Sequence, residues 1–150
     1  MVYGLYEDLA FVALDFGGTF PTTAKGDADR LAGAHVLVID DDEAVRTGMA
    51  DLIQDWGARC TIAEGLAEAL SLQGAAPDAI ICDYRLREGA DGADVINRLR
   101  QHHRLHIPAL LVTGDTAPER LRDAMSSGIP LMHKPVAPAH LRQWLVNIMP

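Results

Sequence analysis

The chain of 150 residues predicts an α/β fold: a doubly wound parallel sheet of five strands in the order 2-1-3-4-5, with five helices. Three observations carry this. From His35 onward, short apolar runs alternate with helix-period segments, the pattern of βαβ units. The runs are β-branched and nearly continuous, as strands buried on both faces require. Two of them run into carboxylates, Val36 to Ile39 into Asp40, Asp41 and Asp42, and Ile80 to Cys82 into Asp83. Right-handed crossovers leave few topologies for such a chain, and this order is the favoured one.

Each element has its own signal. The first strand begins at His35 and ends at Asp40. A helix follows from Glu43 to Trp56, with Val45, Met49, Leu52 and Trp56 on one face, and Gly57 stops it. Arg59 to Ala63 reads as the second strand and Leu66 to Leu72 as the second helix, ended by the stretch Gly74 to Pro77. The third strand ends at Asp83, and the third helix spans Ala93 to His102. Ile107 to Thr113 is the fourth strand. The fourth helix, Pro118 to Ser126, has proline in its first turn, where the missing N–H costs nothing. Ile129 to His133 is a short fifth strand. The last helix, Pro138 to Ile148, turns Leu141, Trp144, Leu145 and Ile148 inward. Residues 1–33 differ: an apolar stretch from Leu9 to Phe16 suits one strand, Gly17 to Thr23 breaks regular structure, and Lys25 to Arg30 reads as a linker. The expected division is an N-terminal extension or linker, 1–33, and one domain, 34–150.

Bulk properties exclude several classes. The formal net charge of -8 argues against a nucleic-acid surface, which needs clustered Lys and Arg. Apolar residues make up 49% of the chain, enough for a core, but no run approaches membrane-spanning length, so no direct membrane insertion is expected. Two cysteines, Cys60 and Cys82, are too few for a disulfide framework and suit a reducing cytoplasm. The N-terminus lacks the basic region of a secretory signal.

Function concentrates at one edge. In the predicted order, strands 1, 3 and 4 are neighbours, and their carboxyl ends carry Asp40 and Asp41, Asp83, and Thr113; the fifth strand ends in Lys134-Pro135. That edge is where open α/β sheets bind ligands. Gathered carboxylates repel one another unless a proton or cation intervenes, and Mg²⁺ suits a small carboxylate group plus water. Carboxylates, a hydroxyl and an ammonium together suit phosphoryl transfer, which needs a nucleophile, a neutralising cation and donors to the phosphoryl oxygens. Asp83 takes the nucleophile's role in this reading, Asp40 and Asp41 hold Mg²⁺, and Thr113 and Lys134 donate to the phosphoryl oxygens. Asp42 reads as a helix-start residue.

Four motifs in order, Val36-Leu37-Val38-Ile39-Asp40-Asp41-Asp42, Ile80-Ile81-Cys82-Asp83-Tyr84-Arg85-Leu86, Leu110-Leu111-Val112-Thr113-Gly114 and His133-Lys134-Pro135, resemble the response regulator receiver domain of two-component signalling. The resemblance covers about Ala34 to the C-terminus. It implies a flavodoxin-like fold, Mg²⁺ dependence, and phosphorylation of Asp83 by a histidine kinase. It also implies that Asp41 is a direct Mg²⁺ ligand, that Asp40 acts through water, that the Arg85 backbone carbonyl and Asp83 complete the protein's ligands, and that Thr113 and Lys134 are the switch hydroxyl and phosphate-binding lysine. Asp83-Tyr84-Arg85-Leu86-Arg87 and Leu131-Met132-His133-Lys134-Pro135-Val136 look most like receivers at the C-terminus of hybrid sensor histidine kinases. The implied setting is a hybrid kinase or phosphorelay, with a histidine kinase or histidine phosphotransfer protein as partner, a cytoplasmic location, and a monomer or weak dimer. Such a domain is not a classical enzyme by itself: it catalyses its own aspartyl phosphorylation and dephosphorylation, alone or as a fragment of a hybrid kinase. Asp15 to Pro21 resembles the end of a kinase ATPase domain, so residues 1–33 read as a leader segment or a kinase-domain remnant. The chain's end soon after the fifth helix predicts that no DNA-binding output domain follows. One departure is Leu131, where an aromatic that rotates on activation is often found.

Alternatives weigh less. A haloacid-dehalogenase-like Mg²⁺-dependent phosphatase also uses Asp, Thr and Lys on a parallel sheet. Asp40-Asp41-Asp42-Glu43-Ala44 supplies its Asp-x-Asp, but Ala44 stands where Thr or Val is needed, and nothing acidic follows Lys134. An interaction domain with a dead acidic site conflicts with the intact set of five residues. His102, His103 and His106 read as a solvated loop rather than a metal site. Trp56 and Trp144 read as core.

Overall fold

A computed structural model of the chain describes residues 29–114 and 117–150. The strand expected over residues 9–16 and the loop residues Asp115 and Thr116 lie outside the described residues. Five parallel strands, β1 (His35–Ile39), β2 (Arg59–Ala63), β3 (Ala79–Asp83), β4 (Ala109–Thr113) and β5 (Leu131–His133), lie in the order β2-β1-β3-β4-β5, as expected. The helices are α1 (Glu43–Asp55), α2 (Leu66–Ser71), α3 (Gly92–His103), α4 (Pro118–Ser126) and α5 (Pro138–Ile148). A helical stretch at residues 29–31 precedes β1, within the span read as linker, and its Leu31 is fully buried in the core.

The inner strands β1, β3 and β4 are continuous in hydrophobicity because each faces two apolar layers, whereas the edge strand β2 leaves Arg59 and Ile62 exposed. Leu37 and Ile39 of β1, Ile80 and Cys82 of β3, and Ala109 and Leu111 of β4 join one cluster with Ala69 of α2, Ile96 and Leu99 of α3, and Ala124 of α4. The alternate residues Val36, Val38, Ile81, Leu110 and Val112 join the other, with Ile53 of α1 and Leu141 and Leu145 of α5. Side chains alternate across a strand, so a run this short fills both layers only if every position is apolar. Burying one such Leu or Ile contributes about 1.5–3 kcal/mol.

Boundaries shift by a few residues for local reasons. β4 begins at Ala109 rather than Ile107, and β5 at Leu131 rather than Ile129; Pro108 and Pro130 lack the N–H a ladder needs. In α1 the buried residues are Ala50 and Ile53, whereas Met49 and the C-capping Trp56 pack only partly against the core. Trp144 of α5 is likewise half-buried, with Val146 inside instead. His102 and His103 form the last turn of α3, which Arg104 closes in the left-handed region at φ 56°, so only His106 of that trio sits in the loop.

Candidate functional site

All strands point their carboxyl ends the same way, so β1, β3 and β4 deliver their terminal residues to one rim. Asp40 follows β1 directly and is 3% exposed; Asp83 ends β3 at 9%, and Thr113 ends β4 at 2%. Asp41, next in the β1–α1 loop, is partly exposed. One carboxylate oxygen each from Asp40, Asp41 and Asp83 lies within 4.8 Å of the others. Lys134, just past β5, reaches in from the side: its Nζ donates to Asp40 Oδ2 at 3.0 Å and lies 3.5 Å from Asp83 Oδ2. The backbone repeats the alignment, since the Lys134 N–H donates to the Thr113 carbonyl at 2.8 Å. The residues expected at the site, Asp40, Asp41, Asp83, Thr113 and Lys134, therefore share one edge. Arg85, two residues beyond Asp83, is exposed in the loop that leaves β3.

The loops are held by their own carboxylates. Asp42 caps α1, its Oδ1 accepting from the Ala44 and Val45 N–H groups at 2.9 and 3.3 Å, which bears out its reading as a helix-start residue. The Asp42 N–H in turn donates to Asp40 Oδ1 at 2.9 Å. Asp91 caps α3 through the Ala93 N–H. Three participants were not legible in the sequence. Arg46 Nη1 donates to the Asp40 carbonyl at 3.0 Å, and Arg87 Nη2 to the Asp41 carbonyl at 3.3 Å. Gly92 lies so close to β3 that an added Cβ would clash with the Asp83 carbonyl oxygen and stand 3.0 Å from Tyr84 Cα. A glycine straight after a capping aspartate was the available signal for it.

Burial dominates the electrostatics. It raises Asp83 to about 6, opposed by the Lys134 charge and reinforced by Asp40 and Asp41. Burial by itself lowers Lys134, but the hydrogen bond to Asp40 and the charges of Asp83 and Asp40 outweigh it, so the ammonium is held above its ordinary range. The Cys82 thiol, one residue before Asp83, is pushed well up by burial and by the neighbouring carboxylates, which makes it an inert core group. Three hard oxygen donors within 4.8 Å, one of them raised by burial and then by its neighbouring carboxylates, fit a divalent cation of the Mg²⁺ kind.

A doubly wound five-stranded sheet with an acidic cluster, a hydroxyl and a lysine at its carboxyl edge defines the class: a single α/β domain with its polar site where the strands end. The chain belongs to the response regulator receiver domain family, whose sequence profile matches residues 36–146. It is a receiver domain of two-component signalling. Among its relatives, an uncharacterized 14.6 kDa protein of Leptolyngbya boryana is 33% identical over 114 residues, covering 74% of this chain and 86% of that protein. The two-component response regulator ORR11 of Oryza sativa is 26% identical, over 79% of this chain and 83% of its own. The solved structure of chemotaxis protein CheY4 of Vibrio cholerae superposes with a TM-score of 0.67 at 28% identity, covering 79% of this chain and all (100%) of that one. A response regulator receiver protein of Pseudomonas putida gives 0.65 at 31%, covering 77% and 97%. Among the described residues, no helix is long and apolar enough to cross a membrane.

Proposed function

We propose that this receiver domain accepts a phosphoryl group on Asp83 from a phosphohistidine donor in a Mg²⁺-dependent reaction. The observation that carries the reading is the gathering of three carboxylates within 4.8 Å, with Lys134 reaching two of them. Asp40, Asp41, Asp83 and the Arg85 carbonyl are the residues that hold the ion. The ion, when bound, neutralises charge on the phosphoryl oxygens and between the carboxylates. An Asp83 carboxylate oxygen attacks phosphorus, and the bond from phosphorus to the donor's imidazole nitrogen breaks, leaving its electron pair on that nitrogen. Lys134 Nζ and the Thr113 hydroxyl donate to the phosphoryl oxygens, and Asp40 keeps Lys134 aimed. The motif from Asp83 to Arg87 supports a setting in a hybrid kinase or phosphorelay in the cytoplasm, with a histidine kinase or phosphotransfer protein as partner and residues 1–33 as an extension. Leu131 has no ring to swing, so the output is transfer of the phosphoryl group onward, or restraint of a fused kinase, without aromatic rotation.

The test is incubation with acetyl phosphate and Mg²⁺. An acid-stable, base-labile phosphoryl adduct that does not form when a chelator is present from the start, and is absent from Asp83→Asn, is expected. An adduct that survives that substitution, or one indifferent to Mg²⁺, counts against the reading.

A further inference from the structure

Arg87 follows Asp83 by four residues and opens the 3₁₀ turn Arg87–Gly89. Its side chain is 74% exposed, yet it folds back over the acidic edge: besides the bond to the Asp41 carbonyl, its Nε lies 3.9 Å from Asp41 Oδ2. Lys134 already covers Asp40 and Asp83, so Arg87 supplies the counter-charge for the third carboxylate of the cluster. The two pairings differ in kind. Lys134 is partly buried and close to a buried carboxylate, whereas the Arg87 pair is long and open to solvent. A solvent-exposed pair of that length is weak and screened by salt. A divalent ion that takes Asp41 as a ligand therefore displaces Arg87 before it disturbs Lys134.

The surroundings decide where a displaced Arg87 can act. It lines an open cleft of about 470 Å³ together with Asp41, Asp42, Glu43, Arg46 and Glu64. Arg46, the other lining cation, is tied at 3.0 Å to the Asp40 carbonyl and partly buried. Arg87 has the weaker hold and the greater exposure. An anionic phosphodonor entering this cleft beside Asp41 meets four acidic side chains, and a guanidinium can pair with phosphoryl oxygens through two parallel N–H donors.

Resting on the phosphoryl-transfer reading above, we propose that Arg87 is the ion-displaced counter-cation of Asp41: it neutralises Asp41 in the ion-free protein, yields it to the divalent ion, and then pairs with the phosphodonor at the cleft. The decisive measurement is calorimetric titration of the wild type, Arg87→Ala and Arg87→Lys with MgCl₂ alone at low salt, after circular dichroism shows all three folded. Removing a competing cation tightens Mg²⁺ binding, by roughly two- to fivefold for an exposed pair, and Arg87→Lys stays close to the wild type. A residue that merely braced the loop would loosen Mg²⁺ on removal, so weaker or unchanged affinity in Arg87→Ala overturns the proposal. At saturating Mg²⁺, Arg87→Ala also raises the half-saturating acetyl phosphate concentration while the maximal rate changes little; an unmoved half-saturation overturns the donor-pairing role. A wild type that binds no Mg²⁺ and takes up no phosphate overturns the parent reading instead.

Discussion

Asp83 is buried at the end of a core strand among other carboxylates, and its elevated proton affinity, to about 6, is the direct consequence. Its folded-state value lies above the unfolded 3.8, so the protonated form favours the folded state. That stability is full below 3.8 and is lost as pH rises through about 6. The loss is at most about 3 kcal/mol. Without divalent ions, Asp83→Asn is therefore expected to be the more stable protein at about pH 7.5, with the advantage shrinking toward about pH 5. Urea denaturation of both proteins at the two pH values checks this; a difference independent of pH refutes it. Comparing the two proteins cancels the opposing histidines: His35, His103 and His133 are lowered, chiefly by burial, and weaken the fold as pH falls below 6.5 in both. Lys134→Ala removes a donor to the phosphoryl oxygens but no metal ligand. Phosphoryl uptake is expected to slow by about 10²-fold or more, with Mg²⁺ affinity retained. A calorimetric titration showing that Mg²⁺ binding is abolished in the folded variant contradicts the donor role.

At the scale of the element, α3 and α1 offer contrasting glycines. Gly92 starts α3 against β3, where the Asp83 carbonyl, Leu111 and Tyr84 leave no room for a Cβ. Gly92→Ala must push helix and strand apart, so it is expected to cost roughly 1–3 kcal/mol and to slow phosphoryl uptake by moving Asp83. Gly48 lies inside α1, where an added Cβ would meet nothing within 4 Å and the backbone has no positive φ. Gly48→Ala is expected to stabilise by roughly 0.5–1 kcal/mol and to leave the uptake rate alone. Denaturation midpoints and acetyl phosphate kinetics on the pair decide it. Equal effects from both substitutions would show that the contact at Gly92 is not what matters. Patterning alone could not separate them, because both are helical glycines and only the neighbouring strand distinguishes their surroundings.

For the whole molecule, the carboxyl edge is a cost carried by the rest of the fold. Three carboxylates crowd one another, and the two apolar layers packed on the sheet hold them there. An ion that binds only the folded state stabilises it by about 2.7 kcal/mol at a hundredfold excess over Kd. Thermal melting is expected to rise with Mg²⁺ for the wild type and hardly at all for Asp41→Asn, whose ion-free melting temperature is expected to be the higher of the two. A wild-type melting curve indifferent to Mg²⁺ would contradict the metal site. The core itself has no such dependence: Leu145→Ala in α5, fully buried against the sheet, is expected to cost about 2–5 kcal/mol with or without the ion.

Strand number and order and the five helices after β1 follow from the sequence because each rests on local periodicity and on the handedness of crossovers, whereas the helical stretch at 29–31, within the span read as linker, does not. The edge bearing Asp40, Asp41, Asp83, Thr113 and Lys134 follows from the same topology, since parallel strands bring their last residues together. Family membership rests on those motifs as well. Side-chain reach and close approach are different matters. That Arg46 and Arg87 fold back onto the carbonyls of Asp40 and Asp41, that Gly92 is pressed against Asp83, and that Ala50 and Ile53 rather than Val45 and Leu52 fill the core of α1 all depend on the rotation and spacing of packed elements. Those quantities are set by contacts between segments distant in the chain, so only the tertiary structure decides them.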